Sequence, residues 1–233
     1  MIDFWKRFSR NRSAVFGLAI LITVLFVATI ASLIYPEDPF RLAGKPLSGP
    51  GLNGFLLGSD SLGRDVASGI AHGAKTSLLI GLIATLAAVF IGIIFGAFSG
   101  YYGGRIDDLL MRITEIFQTI PSFVFAILLV AIMKPSIESI VIAITVVSWP
   151  GVARLVRAEF LSLKNREFVQ ACHTLGMSDL RIMLREILPN CLSPIIVIGS
   201  LMVATAILIE SGLAFLGLGD PNIMSWGFQI GAG

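Results

Sequence analysis

The sequence predicts an all-α bundle of transmembrane helices, five of them in this chain, and three observations carry that prediction. Of 233 residues, 55% are hydrophobic and only 14% are charged, against roughly 25% charged in an ordinary soluble domain. The mean hydropathy of +0.88 leaves too little polar surface to cover a core of that size. The charges are also missing from long intervals: none falls between Arg12 and Glu37, between Lys75 and Arg105, or between Glu186 and Glu210. About 20 apolar residues cross the hydrocarbon of a bilayer, so each interval holds a span.

Two shorter intervals, Glu115 to Lys134 and Glu138 to Arg154, reach spanning length when their end charges snorkel to the interface. The spans are placed at 13–35, 77–101, 110–133, 138–157 and 192–217. The first follows Lys6, Arg7, Arg10 and Arg12. Its apolar run is longer than the roughly 7 to 15 residues of a signal-peptide core, so it reads as an uncleaved anchor. With the N-terminus inside, twelve Lys and Arg lie on the cytoplasmic side and five outside, as the positive-inside rule requires. The resulting divisions are a cytoplasmic segment 1–12, an anchor 13–35, an external loop 36–76, a core 77–219 containing a cytoplasmic loop 158–190, and an external tail 220–233.

Net charge is +2, which gives no basic excess for nucleic acid. Cys172 and Cys191 follow no CxxC pattern and read as small buried hydrophobes, without a metal or a disulfide. His72 and His173 stand at no ligand spacing and read as solvated or capping residues. No GxxxxGK[ST], HExxH or GxSxG motif occurs, so nothing points to a nucleotide site or a catalytic residue in this chain.

Within the loop 158–190, Phe168, Ala171, Cys172 and Leu175 recur at helical spacing before Gly176, which predicts a short amphipathic helix over 167–176. Ser178 is placed as the cap of a second short helix, 180–187, ending at Leu188-Pro189. An apolar stripe on such a loop must face lipid or protein. Glu210 lies inside a span and either pairs within the bundle or lines a polar route. Glu115 is expected to pair with Arg112 at the interface. Gly92, Gly96 and Gly100 form a small-residue face for a close helix neighbour, in this chain or in a partner. Pro121 and Pro150 are candidate kinks. Asp60, Arg64 and Asp65 are expected either to order the external loop as a charged network or to contact a substrate-delivery protein.

Gln170-Ala171-Cys172, three residues, Gly176, and then Leu188-Pro189 resemble the coupling loop of ABC importer permeases, with Gln and Cys replacing the usual Glu and Ala. Gly58-Ser-Asp-Ser-Leu-Gly-Arg-Asp65, Gly100-Tyr-Tyr-Gly-Gly104, Ser148-Trp-Pro-Gly151, Glu210-Ser-Gly-Leu-Ala-Phe-Leu-Gly-Leu-Gly219 and Ser225-Trp-Gly227 are similar to further blocks of the dipeptide, oligopeptide and nickel permeases. The resemblance is closest to their second permease subunit and implies a type I ABC importer permease in a bacterial or archaeal cytoplasmic membrane. Its implied partners are a second permease, two ATPases that hold ATP and Mg, an external solute-binding protein and membrane lipid, with no nucleic acid and no cofactor on this chain. It assigns ATPase coupling to Glu167, Phe168, Gln170, Ala171, Cys172, Leu175, Gly176, Leu188 and Pro189. It also implies a sixth span after Ser225-Trp226-Gly227. A secondary transporter or channel working alone is the alternative, weakened by the presence of essentially one mid-span charge, Glu210.

Overall fold

The computed structural model describes residues 8–52 and 54–232, so the basic residues Lys6 and Arg7 lie outside the described part. Two compact units partition the chain, Met1–Leu78 with Pro221–Gly233, and Leu79–Asp220.

In the first unit, α1 runs Arg12–Ile34, as the charge-free interval predicts. Asn11 caps it, its side chain accepting from the Ala14 amide at 3.2 Å. Only Ala28 and Ala31 are buried along its length, so the rest of its apolar surface is left for lipid or protein. The connection after it is largely irregular, and α2 begins at Val66 rather than near 77, which shortens the expected loop. Asp65 explains the early start: its carboxylate accepts the Ala67 amide at 2.9 Å, the geometry of an N-cap. At 37 residues α2 is about 55 Å long, well beyond the 30 Å of hydrocarbon. His72 lies in its first turns, with Nε2 2.9 Å from the Tyr35 carbonyl oxygen. The final helix of this unit, α8 (Trp226–Ala232), gives the expected tail a helical form. Trp226 donates from its indole to the Ile70 carbonyl at 3.0 Å and from its backbone to the Ser77 hydroxyl at 3.1 Å. A Cβ on Gly73 would come within 3.0 Å of the Trp226 amide, so this glycine is the notch that seats the Ser-Trp-Gly block.

The second unit continues along α2 and adds α3 (Gly104–Gln118), α4 (Ser122–Met133), α5 (Ile137–Leu163), α6 (Glu167–Thr174) and α7 (Asp179–Leu218). The single helix expected over 110–133 is corrected to α3 and α4, bent by 80° at the break. Pro121 causes it: the residue before a proline is driven out of helical geometry, and Pro121 itself takes ψ 127° and caps α4. Pro150, by contrast, lies within an uninterrupted α5.

A second correction concerns Leu188-Pro189, which does not end a short helix. The helix beginning at Asp179 runs past Leu188-Pro189 to Leu218, with Ile182–Ile187 and Ala214–Leu218 wound as π-helices and a kink at Gly217, where φ is +78°. The Leu188 amide reaches back five residues to the Met183 carbonyl. This wide turn accommodates the proline that follows, whose ring would crowd the preceding turn of an ordinary α-helix. Ser178 holds the N-cap position by backbone alone, with no side-chain capping bond.

The glycine face is resolved within the chain. Positions 92, 96 and 100 lie against α5: a Cβ would meet the Val152 Cβ at 2.5 Å, the Val156 Cβ at 2.7 Å and the Phe160 Cβ at 2.6 Å, respectively. Small residues let the two backbones approach, and van der Waals contact then replaces lipid.

Candidate functional site

The segment 167–176 is built as an amphipathic helix with a Schellman stop. Gly176 takes φ +74°, the Met177 amide donates to the Cys172 carbonyl at 3.1 Å, and the Gly176 amide donates to His173 at 3.0 Å. Its anchor is a residue that sequence reasoning missed. Val169 is fully buried, in a cluster with Val156 and Phe160 of α5 and Ile182, Met183 and Ile187 of α7. Cys172 packs at the edge of that cluster, and Cys191 is buried within it. The predicted stripe is thus divided: Cys172 faces inward, while Phe168, Ala171 and Leu175 face outward with Glu167, Gln170 and Gly176. Leu175 is 79% exposed. The spacing of Val169 and Cys172, three residues apart, was the available signal for the inner line.

Leu188 and Pro189 belong to α7, half-buried and exposed respectively, and shape its path rather than extend the outward face of α6.

Elsewhere in the second unit, the polar residues of three helices interlock. Asp107, in the first turn of α3 and ahead of its apolar run, receives Arg157 through two hydrogen bonds, Nε at 2.5 Å and Nη2 at 2.6 Å. The Ser99 hydroxyl donates to the same carboxylate. The Arg157 guanidinium, assisted by Ser99, holds the Asp107 carboxyl below the usual carboxylate range against the opposing effect of burial. Asp108, Arg112, Glu115 and Arg154 join this pair around a cavity of about 500 Å³. Glu115 is exposed and, among the described residues, makes no ion pair with Arg112.

Of the loop residues, Asp60 and Arg64 pack inward, the arrangement of the ordering network that was one of the two expectations, and Asp65 stands apart from them. Asp60 is 2% exposed and folds its carboxylate back onto the Leu62 and Arg64 amides, at 2.9 and 2.8 Å. The Arg64 guanidinium stands 3.7 Å from that carboxylate and lies between the rings of Phe40 and Phe228, 5.5 and 5.3 Å from their centroids. Asp65 caps α2 and takes no part in this packing. The cluster orders the loop from within.

Glu210 is 1% exposed, one turn from buried Ala206 and Leu213 on α7, which places it in the interior of the second unit. His173 is solvent-exposed, as expected, and its ring stacks near Tyr101, with centroids 6.4 Å apart.

Apolar helices of spanning length, a broken pair and an outward-facing amphipathic helix together define a multi-pass α-helical membrane protein. The comparisons with known proteins make this specific. A family described as binding-protein-dependent transport system inner membrane component matches residues 88–231, and the N-terminal TM domain of oligopeptide transport permease C matches residues 1–48. The chain belongs to this family of ABC importer permeases. The dipeptide transport system permease protein DppC of Bacillus subtilis is 39% identical over 232 residues, covering 99% of this chain and 72% of the relative. The oligopeptide transport system permease protein OppC of Haemophilus influenzae is 41% identical over 234 residues, covering 99% and 75%. Inward-facing structures of the MetNI methionine ABC transporter share the fold, with a TM-score of 0.58 and 16% identity over 66% of this chain and 77% of that one.

Proposed function

We propose that this chain is the second permease subunit of a peptide importer in a bacterial cytoplasmic membrane, driven through α6 by a separate ATPase. The observation that carries the coupling role is the division of α6: Val169 fixes it to α5 and α7, while Phe168, Ala171 and Leu175 stay exposed. An anchored helix with a free apolar face passes a push on that face to the helices beneath it. Glu167, Gln170, Cys172 and Gly176 shape the same element, and Leu188-Pro189 sets the path of α7.

The segment lies on the cytoplasmic side in this reading. ATP and Mg are held by two ATPase subunits, and this chain hydrolyses nothing. A homologous second permease completes the path, and an external binding protein delivers the solute. Closure of the ATPase pair draws the α6 helices of the two permeases together and turns the path outward; hydrolysis resets it. Buried Glu210 is assigned to the bundle interior that the path borders. Peptides are the proposed solute because the relatives above are named for dipeptide and oligopeptide transport.

Two measurements test this. The assembled transporter in proteoliposomes is expected to take up labelled di- and trialanine with ATP inside and the binding protein outside; nickel uptake without peptide uptake would reassign the solute. Half-buried Cys172 reports the side. In intact cells it should resist an impermeant maleimide and react in inside-out vesicles, and labelling of intact cells would reverse the topology.

A further inference from the structure

The Gly100-Tyr101-Tyr102-Gly103-Gly104 block has a structural role that the coupling helix alone does not explain. It forms the joint at which α2 ends and α3 begins. Gly103 and Gly104 take φ +68° and +51°, a left-handed pair that turns the chain sharply. Gly100 lets α2 approach α5, since a Cβ there would come within 2.7 Å of the Arg157 carbonyl oxygen. Between these glycines, Tyr101 spans the turn that joins α6 to α7. Its ring stacks near His173 on α6, at 26° between planes, and its hydroxyl donates to the Asp179 carboxylate at 2.8 Å, at the start of α7. Its carbonyl accepts from Lys164, just past α5, at 3.4 Å. Val169 gives α6 an apolar hold on α5 and α7, and Tyr101 adds a polar tie from α2 to the same turn.

We infer that Tyr101 is a positioning residue for coupling: through its bond to Asp179 it makes the inner end of α2 follow the α6–α7 turn when the ATPases move. The inference rests on the assignment of α6 as the docking element. A partly exposed hydroxyl-to-carboxylate bond contributes little to folding, so its removal loosens the linkage without dismantling the bundle.

The test uses the assembled transporter with Tyr101→Phe, Asp179→Ala and Asp179→Asn. Copurification of the ATPase and basal ATP hydrolysis should stay at the wild-type level. Stimulation of hydrolysis by the binding protein, a readout that needs no knowledge of the solute, should fall about threefold in the Phe and Ala variants. Trialanine uptake per ATP should fall in parallel. Asn keeps an acceptor oxygen and should restore at least half of both, and Tyr101→Phe with Asp179→Ala should be no worse than either alone. Unchanged stimulation, additive losses in the double variant, or loss of the ATPase from the complex would each overturn the inference. Failure of the docking assignment shows separately, as an Ala171→Arg complex that keeps its ATPase.

Discussion

Replacing Ala171 with Arg is expected to abolish transport while leaving the permease folded. The side chain is exposed on the outward face of α6, so the folded chain has room for it, and surface changes away from packed features usually shift stability by no more than about 0.5 kcal/mol. In the complex proposed above, the same face is the one the ATPase covers. A charge buried there without a partner costs about 2–5 kcal/mol, which weakens docking by about thirtyfold or more. Size-exclusion profile and thermal midpoint of the permease should match the wild type, while ATPase copurification and binding-protein-stimulated hydrolysis are lost. Val169→Asp supplies the contrast, because it places a carboxylate in the fully buried cluster under α6 and should lower the thermal midpoint. Intact coupling in Ala171→Arg would remove α6 from the docking role.

These two neighbours show what was legible in the sequence. Charge-free intervals locate spans because a charge in hydrocarbon is costly whatever its neighbours, so α1 and α5 appear nearly where expected. The periodicity of α6 was equally plain, yet one apolar stripe on an eight-residue helix does not say whether it faces the protein or a partner. Val169 holds the helix, and Phe168 and Leu175 are left over; only the packing of α5 and α7 decides between them.

Both prolines read as candidate kinks, and their consequences differ. Pro121 breaks a helix and Pro150 leaves one intact, because Pro121 sits between an amphipathic and an apolar stretch, whereas Pro150 is buried against neighbours that hold α5 on its course. The π-helix before Pro189 depends on a hydrogen-bond register that no residue pattern announced. For the loop charges the residue types left two readings open, an ordering network or a contact surface, and the packing decides where Asp60 and Arg64 go: backbone amides and two aromatic rings give both an interior place. The capping role of Asp65 was available from its position one residue before a helix-forming run.

The largest effect on folding is expected at Gly96. A Cβ there would stand 2.7 Å from the Val156 Cβ and 2.9 Å from the Arg157 amide nitrogen, and the second neighbour is backbone, which no rotamer change can move aside. Overpacking of this kind costs about 1–3 kcal/mol for added methylenes, and more where helices must separate. Gly96→Ala should therefore lower the thermal midpoint in detergent, and Gly96→Leu should leave almost no folded protein. Separation of α2 from α5 would also pull Ser99 and Arg157 off Asp107, so the damage extends beyond the glycine face. Gly151 is the control: it lies within α5, and nothing stands within 4 Å of a Cβ built on it. Gly151→Ala should be neutral or mildly stabilising, since alanine is favoured over glycine in a helix interior by roughly 0.5–1 kcal/mol. Equal midpoints for Gly96→Leu and the wild type would mean that α2 and α5 are not held in this contact, and the packing described for the second unit would have to be abandoned.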